Sequence, residues 1–150
     1  MINSFKGDYY FLSNFYSALV TFDGITYMNN EAAFQAQKTL DIEERKAFSS
    51  LPPNLAKRKG RRVKLRDDWE DVKFDLMYQI CFNKFYQNPE LGIALLNTGS
   101  EYLEEGNTWK DRIWGTYNGI GQNNLGKILM RVRSELGGYP INIIEGKLKL

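Results

Sequence analysis

Hydrophobic and polar residues change their spacing several times along this chain, and each change marks an element. In VTFDGITY (residues 20–27), β-forming residues alternate on either side of Asp23-Gly24, a dipeptide suited to a two-residue type I′ connection. A hairpin, and with it a small antiparallel sheet, is expected. The period then lengthens: Phe34, Gln35 and Lys38 follow Glu31 at helical intervals, and Asn29 or Asn30 can cap a helix running from Glu31 to about Leu40. That spacing points Glu31 and Lys38 into one cleft. Pro52-Pro53 opens a short helix that Gly60 closes. Asp67 or Asp68 heads the longest helix, where Trp69, Val72, Leu76 and Ile80 form an apolar stripe until Asn88-Pro89 stops it. The same dipeptide starts a helix through Leu91, Ala94 and Leu95, closed by Gly99. Residues 102–105 read as a strand, and Leu125, Ile128, Leu129, Val132 and Leu136 as a last helix ended by Gly137-Gly138. The remaining YPINIIEGKLKL reads as a terminal extension with the character of an edge strand, and no internal repeat or low-complexity segment interrupts the series.

These elements predict an α+β chain, predominantly helical, folded as one compact domain over residues 1–136 with an extension at 137–150. A length of 150 residues suffices for a core without staples or metal. The chain has no histidine, which removes the usual general base, metal ligand and partner of a Ser or Cys nucleophile. Serine-hydrolase, papain-like and zinc-hydrolase chemistry are therefore poor readings, and neither a metal nor a cofactor is expected. The single cysteine, Cys81, lies in the long helix beside Ile80 and Phe82 as a buried apolar filler, so there is no disulfide framework. A reducing, cytoplasmic setting is expected, because the N-terminal stretch lacks a signal peptide's apolar region and no apolar run approaches a membrane span. Net charge is only +2, yet Lys57, Arg58, Lys59, Arg61, Arg62, Lys64 and Arg66 crowd one segment. This is an anion site or a solvated basic face, with Arg61 and Arg62 as candidate phosphate ligands.

The densest candidate chemistry lies in NTWKDRIWGTYNGIGQNNLGKILMRVR (residues 107–133). Trp109 and Trp114 offer flat faces for a base or sugar, Asp111 a charge between them, and Gly119, Gly121 and Gly126 close approach of backbone to a ligand. Gly119-Ile120-Gly121 lacks the third glycine and the βαβ setting of a dinucleotide fingerprint. The smaller expectation is that amides at the start of the last helix hold a phosphate or carboxylate, against simple helix entry with Asn123 as cap. Glu31 and Asp111 are the two carboxylates suited to general acid/base work or to a cationic sugar transition state.

Phe11-Leu12-Ser13-Asn14-Phe15, Glu31-Ala-Ala-Phe34-Gln35-Ala36-Gln37-Lys38, Asp68-Trp69, Asn107, Asp111-Arg-Ile-Trp114-Gly115 and Gly121-Gln-Asn123-Asn-Leu125-Gly126 through Arg133 occur in an order that closely resembles the NADAR (YbiA-like) family over residues 8–136. The resemblance implies a compact, mainly helical domain with a small sheet. It also implies an N-glycosidase or ADP-ribose-processing enzyme, acting on ribosylaminopyrimidine 5′-phosphates of riboflavin biosynthesis or on ADP-ribosylated guanine in nucleic acid. Family members commonly carry His after the glutamate, where this chain has Ala32. The resemblance places Glu31, Lys38, Trp69 and Asp111 in the site.

Both implied substrates hang a phosphorylated ribose on an exocyclic amine, a linkage that can open to an imine. One route has Asp111 or Glu31 stabilise an oxocarbenium-like state and activate water while the other moves a proton. A second has a neutral Lys38 attack C1 to form a Schiff base. Trp69, Trp109 and Trp114 would stack, with Phe15 and Gly115 beside them, while Asn14, Gln35, Asn107, Asn123 and Gly121 would orient hydroxyls or phosphate. The expected partner is a phosphorylated ribosyl or ADP-ribosyl compound, with ADP-ribosylated guanine in nucleic acid or a related ADP-ribose conjugate slightly favoured; no membrane partner is expected, and oligomeric state is not legible. A non-catalytic nucleotide-binding module, kept open by Ala32, and a nucleic-acid binder relying on the basic segment are the competing classes.

Overall fold

A computed structural model describes residues 1–137. It is mainly helical with a small antiparallel sheet, as the sequence predicts. Its chain contacts gather into two units: Asn14–Gln87, continuous in sequence, and a second made from Met1–Ser13 with the described residues from Asn88 to Gly137.

In the continuous unit, β1 (Ser17–Phe22) and β2 (Ile25–Asn29) pair antiparallel with Val20 opposite Tyr27 and Phe22 opposite Ile25. Asp23 and Gly24 have φ of 50° and 83°, the two positive values that a type I′ turn requires. Val20, Phe22 and Tyr27 are buried. Asn29 caps α1 (Asn30–Ala36): its side chain accepts from the Ala32 amide at 2.8 Å and donates to the Leu51 carbonyl at 3.0 Å. The helix ends at Ala36 rather than near Leu40. Its last amides tighten, Gln37 donating to Phe34 at 3.0 Å and Lys38 to Gln35 at 3.2 Å, and Asp41 then caps a new helix, α2 (Ile42–Lys46). Lys38 therefore stands just beyond α1, not on its face.

Pro53 begins α3 (Pro53–Gly60), and Ala56 and Gly60 are its buried residues. Gly60 does not close the helix by a left-handed turn. A Cβ there would lie 1.9 Å from the Gln35 side-chain oxygen, so glycine lets α3 approach α1 with the Gln35 side chain in this position. α4 (Trp69–Gln87) packs on β1 and α1. Its buried face is Trp69, Met77, Ile80, Cys81, Lys84 and Phe85, while Val72 and Leu76 of the expected stripe are only half-buried. The stripe was misplaced because apolar residues occupy several sides of this helix and a lysine lies in the buried one. Cys81 is buried as expected, but the Asn30 amide lies 3.6 Å from its sulfur, so it also serves a polar contact.

In the other unit a 3₁₀ helix (Gly7–Leu12) follows Ile2, whose backbone bonds to Tyr102 and Glu104 at 2.9 Å each. The strand expected over 102–105 is a single parallel bridge of Leu103 to Ile2. Regular pairing falls later, between β3 (Gly106–Asn107) and β4 (Thr116–Tyr117), which run parallel. α5 (Pro89–Leu96) starts at Asn88-Pro89 as predicted and packs on α6 (Asn124–Gly137), whose Leu125, Leu129, Val132 and Leu136 are buried. Gly138 and the extension lie outside the described residues. Among those described, no helix is long and apolar enough to cross a membrane.

Candidate active site

The continuous unit holds one cluster of chemically capable groups. Every residue of α1 is buried, Glu31 and Gln35 included, and the Gln35 amide donates to Glu31 Oε1 at 2.9 Å. Gln35 Oε1 is buried against Gly60 without a hydrogen-bond partner. Among the described residues, Glu31 alone fixes this amide's orientation by a hydrogen bond. Lys38, half-buried, sets its Nζ 6.0 Å from the centre of the Trp69 ring, which itself lies 5.1 Å from Phe34. Burial pushes the Lys38 amine below the ordinary lysine range and the nearby Arg61 guanidinium adds to this, while Glu31 opposes both. Glu31, Gln35, Lys38, Arg61 and Trp69 thus act on one another, and the amine among them is biased toward its neutral, nucleophilic form.

Arg66, counted in the sequence only as one cation of the basic segment, is the residue that the pattern reading missed. Its backbone N–H donates to the Lys38 carbonyl at 2.8 Å and its Nη1 to the Gln37 carbonyl at 3.3 Å. Both oxygens of Asp68 hold the guanidinium, at 2.6 and 3.0 Å. Asp68 occupies the position before α4, but its carboxylate faces Arg66 rather than helix amides. An Arg-x-Asp spacing just ahead of a helix is the signal that would have found it. Among the described residues no ion pair joins Lys57, Arg58, Arg62 or Lys64 to a carboxylate, and Lys59 stands over the Phe48 ring at 5.5 Å. Arg58, Lys59 and Arg62 line a cavity of about 390 Å³ with Glu44, Leu51, Leu55 and Val63. Of the asparagines expected to orient substrate, Asn14 is buried, its amide donating toward Met77 sulfur at 3.5 Å and its oxygen accepting from Asn30 at 3.2 Å. It supports the start of α1, where its carbonyl also takes the Glu31 amide at 3.0 Å. Phe15 beside it is half-buried.

The Trp-rich motif belongs to the other unit, and most of its polar groups are committed to backbone. Asp111 Oδ1 accepts from the amides of Ile113 and Trp114 at 3.0 and 2.9 Å, an Asx-type turn. Asn107 exchanges bonds with the Asp111 backbone at 2.9 and 3.0 Å. Asn123 is buried and its side chain joins Glu105 N–H and Leu103 carbonyl at 3.0 and 2.9 Å, so it caps no helix and has no reach toward a ligand. The amides of Gln122, Asn123, Asn124 and Leu125 donate to carbonyls of Arg112, Gly115, Ile113 and Trp114. This overturns the expectation of an anion site at the start of α6. Gly115, Gly121 and Gly126 are explained by the chain's own crowding, since a Cβ at each would meet backbone oxygen at 2.1, 2.3 and 2.1 Å. Trp109 is 53% exposed and Trp114 half-buried.

A family model described as the NADAR domain matches residues 3–137. This chain belongs to the NADAR family. It is 41% identical over 137 residues to the N-glycosidase YbiA of Shigella flexneri, covering 89% of this chain and 85% of that protein. It is 37% identical over 140 residues to the riboflavin biosynthesis protein VVA0006 of Vibrio vulnificus, spanning 90% of this chain but only 38% of that longer protein. The NMR structure of the E. coli protein YbiA superposes with a TM-score of 0.79 at 36% identity, over 91% of this chain and 87% of that one. Ala32, where the sequence resemblance leads to an expectation of His, is fully buried within α1.

Proposed function

We propose that this NADAR protein is an N-glycosidase that removes a phosphorylated ribose from an exocyclic amine, with ADP-ribosylated guanine in nucleic acid or a related ADP-ribose conjugate as substrate. The observation that carries the reading is the Lys38 amine, depressed below its ordinary range beside Glu31 and over Trp69. The name N-glycosidase carried by the YbiA relatives supports the reaction class. In the reaction, the exocyclic nitrogen's lone pair expels the ring oxygen, which takes a proton, leaving a C1=N iminium. Lys38 Nζ adds to C1, and the C1–N bond to the base breaks as that nitrogen is protonated, leaving a Lys38 imine. Water then adds and releases the lysine, and the sugar recloses: one water consumed, one amine and one free phosphorylated sugar produced. Glu31, fixed by Gln35, is assigned the proton transfers, which such a group accelerates by about 10²–10⁴-fold. Asp111 is assigned to shaping the Trp114-bearing turn.

The riboflavin-biosynthesis name of the Vibrio relative supports a second substrate that the family resemblance also implies, a ribosylaminopyrimidine 5′-phosphate. The row of cations from Lys57 to Lys64 supports the first, because a single 5′-phosphate is met by one or two cations and a nucleic-acid strand by a row of them. Metal-free incubation with each substrate, followed by mass spectrometry, should show release from the ADP-ribosylated oligonucleotide. Release from the pyrimidine compound alone would reverse the substrate assignment. Release from neither, with ADP-ribose still bound, would make the chain a binding module.

A further inference from the structure

Lys38 leaves α1 with its own carbonyl and that of Gln37 beyond the helix ladder, where polar groups of a part-buried backbone need other partners. Both partners come from one residue: Arg66 donates its amide to Lys38 and its guanidinium to Gln37. Arg66 is itself immobilised, because the fork of Nε and Nη2 engages both oxygens of Asp68, a planar bidentate fit that a lysine does not offer. Its side chain is 14% exposed, whereas that of Asp68 is 48% exposed, so the pair reaches from the Lys38 backbone to solvent. Trp69 follows Asp68 directly. The segment 66–69 thus ties down the Lys38 backbone and supplies the ring beneath the Lys38 amine.

We propose that Arg66 and Asp68 are positioning residues that hold the Lys38 amine in its half-buried place over Trp69. The pair acts through Lys38 and makes no contact with substrate; its catalytic consequence rests on the Schiff-base reading above. Glu31 from α1 and Arg61 after α3 are the charged groups that act on the amine directly, and neither is touched by altering the pair. Freed from the clamp, the amine gains water and reverts toward an ordinary lysine.

The test reads Lys38 without any substrate. The full chain and its Asp68→Ala and Arg66→Lys variants are dimethylated with formaldehyde and cyanoborohydride across pH 6–10, and Lys38 modification is followed by peptide mass spectrometry below the melting temperature of each. The wild-type amine should label with a lower midpoint than the exposed lysines. Both variants should raise that midpoint, and a rise of one unit lowers the neutral fraction near neutral pH about tenfold. With an active substrate, kcat should fall by about the same factor while KM moves less than about threefold. A Lys38 midpoint unchanged in folded Asp68→Ala overturns the proposal, as does a fall in turnover without any change in labelling. A midpoint that moves while the wild type cleaves neither substrate upholds the positioning role and defeats the N-glycosidase reading alone.

Discussion

The Glu31–Lys38–Trp69 region and the Asn107–Asn123 loop carry the same kinds of residue, carboxylate, amide and indole, yet they use them differently. In the loop, Asp111, Asn107 and Asn123 are hydrogen-bonded to main chain and hold a tight path of turns. Around α1, side chains face side chains: Gln35 meets Glu31, Lys38 overlies Trp69, and burial has moved an amine off its ordinary pKa. Polar groups serving backbone make a rigid loop, whereas polar groups buried against one another keep reactivity.

The sharpest way to break this contrast is to remove a functional group from each region. Lys38→Ala should abolish borohydride trapping and lower turnover by about 10³-fold or more, as loss of a covalent nucleophile does, with little change in melting temperature. Asp111→Asn keeps an oxygen for the Ile113 and Trp114 amides and should retain most activity. Asp111→Ala should instead cost about 1–2 kcal/mol in denaturant unfolding, the size of a lost cap. Loss of turnover in a stable Asp111→Asn protein would return that carboxylate to the chemistry.

Lys84 offers a control, a buried amine of the same unit outside the cluster. It is fully buried between the rings of Phe85 and Tyr16, at 4.9 and 5.6 Å, and desolvation pushes it down to about 8. The unfolded chain holds that proton up to about pH 10.4, so it binds more protons than the native state between pH 8 and 10. Stability should therefore rise with pH across that window, by about 1.4 kcal/mol per unit at most. Above pH 10 the buried Tyr27 phenol, raised by desolvation, works in the opposite direction, because the unfolded form ionises first. Lys84→Met should flatten the rise in urea titrations; an unchanged slope would assign it to other groups.

The smallest expected effect is on the activity profile. Arg61 lowers the Lys38 pKa and Glu31 raises it, so Arg61→Ala should shift the ascending, acid-side limb of kcat to higher pH, costing about two- to threefold at pH 7. A limb that stays in place would mean that another group titrates.

Periodicity made the hairpin, the capped start of α1 and the helices after Pro52, Asp68, Asn88 and Asn123 legible, because local spacing and turn chemistry determine them. It misplaced the end of α1, since tightened bonds at Gln37 and Lys38 and a second cap at Asp41 are choices between local options of similar energy. The candidate site was legible in its members within α1 and at Trp69. Its support was not: Gly60 and Arg66 act through contacts between segments distant in sequence, and nothing in their spacing announces a close approach or a backbone clamp. The glycines of the Trp-rich loop misled for the same reason, since a glycine that admits a ligand and one that admits another strand of the same chain look alike in sequence.

The division of the chain has a consequence for its birth. Asn14–Gln87 is continuous, so its contacts can all form once residue 87 has left the ribosome, whereas Ile2 cannot pair until Tyr102 and Glu104 are made. Synthesis at roughly 5–20 residues per second leaves the first thirteen residues waiting about 1–3 s after the continuous unit has become able to fold. The Lys38 cluster is thus assembled early, and the oldest part of the polypeptide is among the last to find its place.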